Sequence, residues 1–287
     1  MSATGGWRDD PDGVRPVVLV IGGFLSSPPL FEPLARRLVA RGAVDALVAP
    51  VWTPHWVLGA VAGMEVVLRR AGRALLEADR RSGVSAASRG APVLVVGHSA
   101  GGVTARVLTS PVPFNGMRLG AGGRIGAIVT LGSPHHVRKV ARLGGRISSR
   151  GAEFAERVVP GAAFAPRIGY VAVATRGVVG RPDGTPRERS AANLYAGLLG
   201  KAAASGPIEG DGLVPVEAAL LDDATRIVLD DAVHGPLSAR RWYGSDDVVD
   251  RWWPAALEAW HGALRARVEG RPMPGPRPAI DDSGDAE

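Results

Sequence analysis

Residues 97–101 read Gly97-His98-Ser99-Ala100-Gly101, a serine between two glycines. They follow the apolar run Pro92-Val93-Leu94-Val95-Val96 and precede a stretch with helical spacing from Gly102 to Leu108. A hydroxyl on so sharp a strand-to-helix turn stands clear of the sheet edge, and the glycines relieve the crowding around it. The turn also opens a helix, where free N–H groups and the helix dipole favour developing negative charge. The chemistry such a serine serves is nucleophilic attack; the competing reading is a glycine-rich turn that happens to contain serine. A serine hydroxyl becomes a nucleophile near neutral pH only when a base takes its proton and a carboxylate fixes that base's tautomer.

Six histidines offer the base. His55 precedes the serine, His98 adjoins it, His135 and His136 follow the fourth apolar run, and His261 lies in a terminal helical stretch. His234, in Asp230-Asp231-Ala232-Val233-His234-Gly235-Pro236, sits after the last strand-like run and before the last helix, where a nucleophile, acid, histidine chain order needs it. For the acid, Asp211 in Gly210-Asp211-Gly212-Leu213-Val214-Pro215 fits best, since glycine neighbours permit a tight turn that aims a short carboxylate back at an imidazole. Asp222 and Asp223 read as surface turn residues, Asp230 and Asp231 lie too near His234 in sequence, and Asp211 itself could be a plain β-turn aspartate. A tetrahedral oxyanion needs two N–H donors. Ala100 supplies one from the elbow, and Gly22-Gly23-Phe24 offers the other through Phe24 N–H, unless Gly-Gly there is a simple turn.

The elements that must hold these groups alternate. Strand-like runs fall at Val17 to Ile21, Ala46 to Val51, Val93 to Val96, Ile125 to Leu131, Ile168 to Ala174 and Arg226 to Leu229. Helical spacing marks Phe31 to Ala40, Leu58 to Arg81, with Val61, Met64, Val67, Leu68, Ala71 and Leu75 on one face, and Asp246 to Val268. Continuously apolar strands separated by helices predict an α/β fold with a mostly parallel sheet covered on both faces. Ligands then bind beyond the carboxyl ends of the strands, where Ser99, Asp211, His234 and Phe24 fall. Two long interruptions, about residues 135–166 and 176–210, are expected to form a small cap, residues 1–13 a flexible leader and residues 270–287 a disordered tail, leaving one α/β domain over 14–269.

Composition narrows the classes. With no cysteine, thiolate catalysis, disulfides and cysteine-ligated zinc are excluded. No H-E-x-x-H or carboxylate cluster of ligand spacing occurs, so neither a metal nor a cofactor is expected. The net charge of +6 is carried almost wholly by arginine, the lysines being Lys139 and Lys201, and the arginines are scattered among carboxylates, which argues against nucleic-acid binding. No apolar run reaches the length of a membrane span and no secretory h-region is seen, so a cytoplasmic residence is expected. Arg138, Lys139, Arg142, Arg146 and Arg150 line one face of an amphipathic stretch, either a solvated cap helix or a peripheral contact with anionic lipid.

Taken together, Val17 to Leu25, Gly97 to Gly102, Thr130-Leu131-Gly132-Ser133-Pro134-His135 and Gly210 to Pro215 resemble the lipase and esterase branch of the α/β-hydrolases over roughly residues 16–265. The Thr130 to His135 segment and the acid loop look like small bacterial triacylglycerol lipases and the inositol-deacylase-like group. Trp242-Tyr243-Gly244-Ser245 looks closer still to lipase-like hydrolases of cyanobacteria and plastids. The resemblance implies a Ser99, Asp211, His234 triad, an oxyanion hole from Phe24 and Ala100, and an acyl-ester or lipid substrate. It departs at Gly22, where many lipases carry histidine. Leu25, Trp52, Trp56 and His135 are expected to line the substrate groove, although for any single tryptophan a place in the core is the commoner one. Acyl transfer by the same residues, or a catalytically idle fold used for binding, are the alternatives.

Overall fold

The structure, a computed structural model, describes residues 6–137, 145–200, 206–237 and 241–273, with 145–149 described by their backbone alone. Six parallel strands form the sheet: β1 (Val17–Ile21), β2 (Asp45–Val48), β3 (Val93–His98), β4 (Ile125–Leu131), β5 (Gly169–Thr175) and, last in the chain, β8 (Thr225–Leu229). Their order is β2-β1-β3-β4-β5-β8, and a separate antiparallel pair joins β6 (Val178–Gly180) to β7 (Ile208–Gly210). The expected mostly parallel α/β sheet is therefore present. Its order reverses between β1 and β3, so the crevice beyond their carboxyl ends is the topological switch point where such sheets bind ligands.

The strands' continuous hydrophobicity has a direct cause: both faces are covered. Val17, Leu19 and Ile21 of β1 and Val93 and Val95 of β3 pack into one core with α3 (Glu65–Val84), α4 (Ala100–Leu108) and α5 (Gly145–Val158). Val18, Val20, Leu94 and Val96 face the opposite core, built with α1 (Glu32–Ala40) and α8 (Asp246–Val268). Each fully buried aliphatic or aromatic side chain contributes about 1.5–3 kcal/mol. The edge strands β2 and β8 are only partly buried.

Several boundaries differ from the sequence expectation. The helix expected over Leu58 to Arg81 is two helices, α2 (Thr53–Ala62) and α3, parted at Gly63, whose φ of 113° no ordinary side chain tolerates. The break turns Val61 out to solvent while Met64 stays buried. The second strand stops at Val48 rather than Val51, ahead of Pro50. Within the expected flexible leader, Trp7 is buried with the α1 and α8 core and its N–H bonds Arg89 O at 3.3 Å. In the first expected cap segment, Ala152, Phe154 and Ala155 of α5 belong to the main core. The second holds β6, α6 (Pro186–Leu199) and β7. The tail from residue 274 onward lies outside the described residues, as do Arg138, Lys139 and Arg142 of the basic row; Arg150 is exposed.

At Gly101, in the first turn of α4, a Cβ would run into Ile21 O and lie 2.6 Å from Gly22 O. Gly101→Ala should destabilise the fold by about 1–3 kcal/mol, as overpacking does. A lower urea midpoint at unchanged slope is the expected result, whereas an unaltered midpoint would mean that β1 and α4 part without cost.

Candidate active site

Ser99 follows β3 and caps α4 with φ 53° and ψ −126°, a strained backbone conformation for a residue with a side chain. The strain is held by Ser99 N–H donating to Leu131 O at 2.9 Å and Gly102 N–H donating to Ser99 O at 3.1 Å. Ala100 begins α4, and Phe24 sits in the loop after β1 beside Leu25, which itself has a φ of 59°. Among the described residues, neither Phe24 N–H nor Ala100 N–H has a protein acceptor.

Asp211 follows β7, not a strand of the main sheet, and is wholly buried. Four donors converge on its carboxylate. Oδ1 accepts from Leu213 N–H at 2.9 Å and Val214 N–H at 2.7 Å; Oδ2 accepts from His234 Nδ1–H at 2.7 Å and from Tyr243 OH at 3.0 Å. Burial pushes this carboxyl up, but the facing His234 and the Val214 and Leu213 amides outweigh it and hold Asp211 below the usual carboxylate range. Gly132, with φ 56°, leaves the room: a Cβ there would lie 2.6 Å from Asp211 Oδ2 and 2.9 Å from Tyr243 OH. The acid loop is pinned from outside by Tyr195 of α6, whose hydroxyl donates to Val178 O at 3.2 Å and accepts from Gly212 N–H at 2.6 Å.

His234, after β8, is anchored by its own N–H to Asp211 O at 2.9 Å and by His98 Nε2–H donating to its carbonyl at 2.7 Å. With Nδ1–H given to Asp211, its Nε2 is left as the basic nitrogen, the tautomer a base toward serine needs. Ser99 and His234 are thus brought to one corner through the adjacent His98. No hydrogen bond joins Ser99 Oγ to the imidazole among the described residues. Such contacts commonly tighten only when substrate binds.

Of the residues expected to line the groove, Leu25 and Trp52 are exposed, whereas Trp56 and His135 are interior. Trp56 packs edge-on against Phe24 of the loop after β1, 6.3 Å between ring centroids. His135 is locked behind α4: Arg106 donates to its Nδ1 at 3.2 Å and its Nε2–H donates to Thr130 Oγ1 at 3.0 Å. Next to it His136, Glu156 and Asp222 bring ligand-type atoms within 4.8 Å of one another. The imidazole turns opposite nitrogens to the two carboxylates, at 3.7 and 3.8 Å, and Glu156 also lies 3.8 Å from buried Arg106, which is the geometry of an ion-pair cluster.

Sequence reasoning passed over Tyr243, Gly132 and His98 as working parts. Tyr243 and Gly132 lie inside segments already singled out, but their role depends on where Asp211 arrives, which no local pattern encodes.

No known protein-family model matches the chain, and no curated protein matches it. Neither the small lipase and inositol-deacylase-like group nor the cyanobacterial and plastid set is therefore identified among its relatives. Solved structures similar to it include the apo form of Thermogutta terrifontis esterase 2 (16% identity, 87% of this chain and 82% of that one, TM-score 0.43). A metagenome-derived lipolytic enzyme (13%, 88% and 94%, 0.42) and Est1E from Butyrivibrio proteoclasticus (12%, 91% and 91%, 0.40) are similar over comparable lengths. At these identities and TM-scores the likeness carries nothing about substrate. The mostly parallel α/β sheet is read from this chain's own strand order and pairing.

Burial, then the neighbouring His234, lowers the His98 imidazole to about 3, and burial with Arg106 holds His135 well below the ordinary histidine value. Below about pH 6.5 both become protonated in the unfolded chain but stay neutral in the fold, so the unfolded state there binds more protons. Their contribution to stability is full above that pH and falls as the pH drops, for His98 down to about 3, by up to about 1.4 kcal/mol per pH unit for each histidine. Urea melts from pH 7 to 4 should show this slope, and His98→Gln should remove one histidine's share. An unchanged slope in that variant would contradict the assignment.

Proposed function

We propose that this chain is a serine carboxylic-ester hydrolase that cleaves acyl or lipid esters through an acyl-enzyme intermediate. The observation that carries the reading is the buried Asp211–His234 pair, fixed in one tautomer beside a strained serine with two N–H groups free of protein acceptors. In this mechanism Ser99 Oγ attacks the ester carbonyl as His234 Nε2 takes its proton, and Asp211 stabilises the imidazolium so formed. The carbonyl oxygen becomes an oxyanion held by Phe24 N–H and Ala100 N–H. Collapse expels the alcohol, which receives the proton from His234 and leaves an acyl group on Ser99. Water then attacks that acyl carbon with His234 again as base, releasing the carboxylic acid and restoring the serine.

An acyl substrate is supported by the apolar side chains exposed next to the reacting groups: Leu25 beside Phe24, Trp52 at the start of α2, Leu213 beside Asp211 and Leu237 beyond His234. The exposed face of α2 continues this surface through Val57, Leu58 and Val61. This apolar face favours peripheral contact with a lipid surface; among the described residues no helix is long and apolar enough to cross a membrane. A cytoplasmic site of action belongs to the same reading.

A fluorophosphonate probe should label wild-type protein on Ser99, and Ser99→Ala should abolish labelling. Asp211→Asn should lower kcat on the order of a thousandfold or more, through the wrong tautomer. Tyr243→Phe should lower it by about tenfold, because one charge-assisted hydrogen bond to Asp211 is lost. Labelling that survives Ser99→Ala would defeat the proposal. With p-nitrophenyl esters from acetate to palmitate, longer chains and anionic vesicles should raise turnover; a preference for acetate indifferent to vesicles would restrict the substrate to small soluble esters. Transfer to an added alcohol in preference to water would mark an acyltransferase.

A further inference from the structure

His98 lies next to the serine in sequence, yet its side chain points to the other side of the sheet, into the core under α8. Its ring is almost fully buried among Phe31, Trp242, Tyr243 and His234, with centroids 5.4, 5.7, 6.3 and 4.7 Å away. Its Nε2–H donates to the carbonyl of His234 at 2.7 Å. That bond fixes the tautomer, leaving Nδ1 an unprotonated nitrogen, and this atom is buried without a partner. A Cβ added at Gly23 would lie 3.0 Å from Nδ1 and 2.8 Å from Ser99 Cβ, so the same ring also backs the oxyanion loop.

Up to His234 the loop is tied inward: Thr175 Oγ1 donates to Ala232 O at 3.1 Å and accepts from Ala232 N–H at 3.3 Å, Val233 N–H donates to Arg241 O and His234 N–H to Asp211 O, both at 2.9 Å, and the His234 ring reaches Asp211. Beyond His234 the chain runs outward to Leu237, 83% exposed. The carbonyl of His234 marks where the loop leaves the interior, and its hydrogen-bond partner among the described residues is His98. The charged or titratable groups facing His98 are His234 and, behind it, Asp211 and Tyr243. We infer that His98 is a positioning residue for the base: its Nε2–H···O=C bond ties the His234 loop to the strand that carries Ser99, so that two consecutive residues, His98 and Ser99, set the distance between base and nucleophile. This rests on the ester-hydrolase reading of Ser99 and His234.

The two side-chain amides separate the claim from simple space filling. Gln places its Nε2 donor near the position of the histidine Nε2, whereas Asn places its donor near the position of Nδ1, where no acceptor waits. With a p-nitrophenyl ester, His98→Gln should keep kcat within about threefold of wild type, while His98→Asn should lose about tenfold to a hundredfold with KM changed less than about twofold, the scale of a small misplacement of reacting groups. Thermal melts count the folded fraction of each. His98→Met, of similar volume and without a donor, replaces Asn if that variant fails to fold, with the same expectation. Equal kcat in all three variants, or Gln as impaired as Asn and Met, would overturn the inference. A second readout does not need turnover: the His234 Nδ1–H proton, followed by NMR, should stay resolved in wild type and His98→Gln and broaden in His98→Asn and His98→Met. Wild-type protein inert toward esters and fluorophosphonate would defeat the hydrolase reading, and the NMR comparison would then decide the positioning role alone, a signal equally sharp in every variant overturning it.

Discussion

A single buried carboxylate sets most of the local architecture. Asp211 has no solvent exposure, and an unpaired ion in such a place would cost several kcal/mol. The structure answers by bringing four donors to two oxygens from three separate stretches: the amides of its own turn, the imidazole after β8 and the phenol of Tyr243 ahead of α8. Each donor is a constraint on where its element can sit. The turn must curl back, the His234 loop must pass close by, and Gly132 must lack a side chain after β4. The carboxylate therefore organises loops far apart in the chain into one corner of the sheet.

The elbow depends on that corner being rigid. A strained φ at Ser99 persists only where its surroundings over-determine it. Here β3 lies between β1 and β4, Ser99 N–H is held by Leu131 O, and α4 approaches the end of β1 so closely that Gly101 faces backbone oxygens. The sheet's switch point then places the loop carrying Phe24 directly across from the serine. Strain, clearance and topology are one arrangement, because the close approach that forbids a side chain at Gly101 also sets the first turn of α4 against the end of β1 and the loop after it.

How much of this was legible in the sequence follows from how local each signal is. Runs buried on both faces, such as Val17–Ile21 and Ile125–Leu131, were readable because continuous hydrophobicity is itself the trace of a covered parallel strand. The positions of Ser99, Asp211 and His234 were readable as motifs after strands, since glycine-flanked turns announce themselves. The three-residue strands β6 and β7, which carry Asp211 into place, leave no periodicity to detect. The split between α2 and α3 hinges on one glycine's φ inside an otherwise helical pattern. Trp56 and His135 were ambiguous for a different reason: residue type states that a side chain can contact a ligand, whereas burial decides whether it does, and burial here depends on Phe24 for the first and Arg106 for the second.

Three histidines stand at or after the carboxyl ends of β3, β4 and β8, and their environments differ. His98 and His135 are both interior, and each has one nitrogen bound to a neutral acceptor, a carbonyl or a hydroxyl. A proton added to either would be a buried charge with no hydrogen-bonded anion, so both remain neutral scaffolding. His234 is 11% exposed in its side chain and carries a carboxylate on Nδ1. There a hydrogen-bonded carboxylate stands beside the ring, as it does at neither of the other two. On the proposed ester-hydrolase reading, the base falls where a transient positive charge can be tolerated, and that tolerance is set by the same buried Asp211 that draws the loops together.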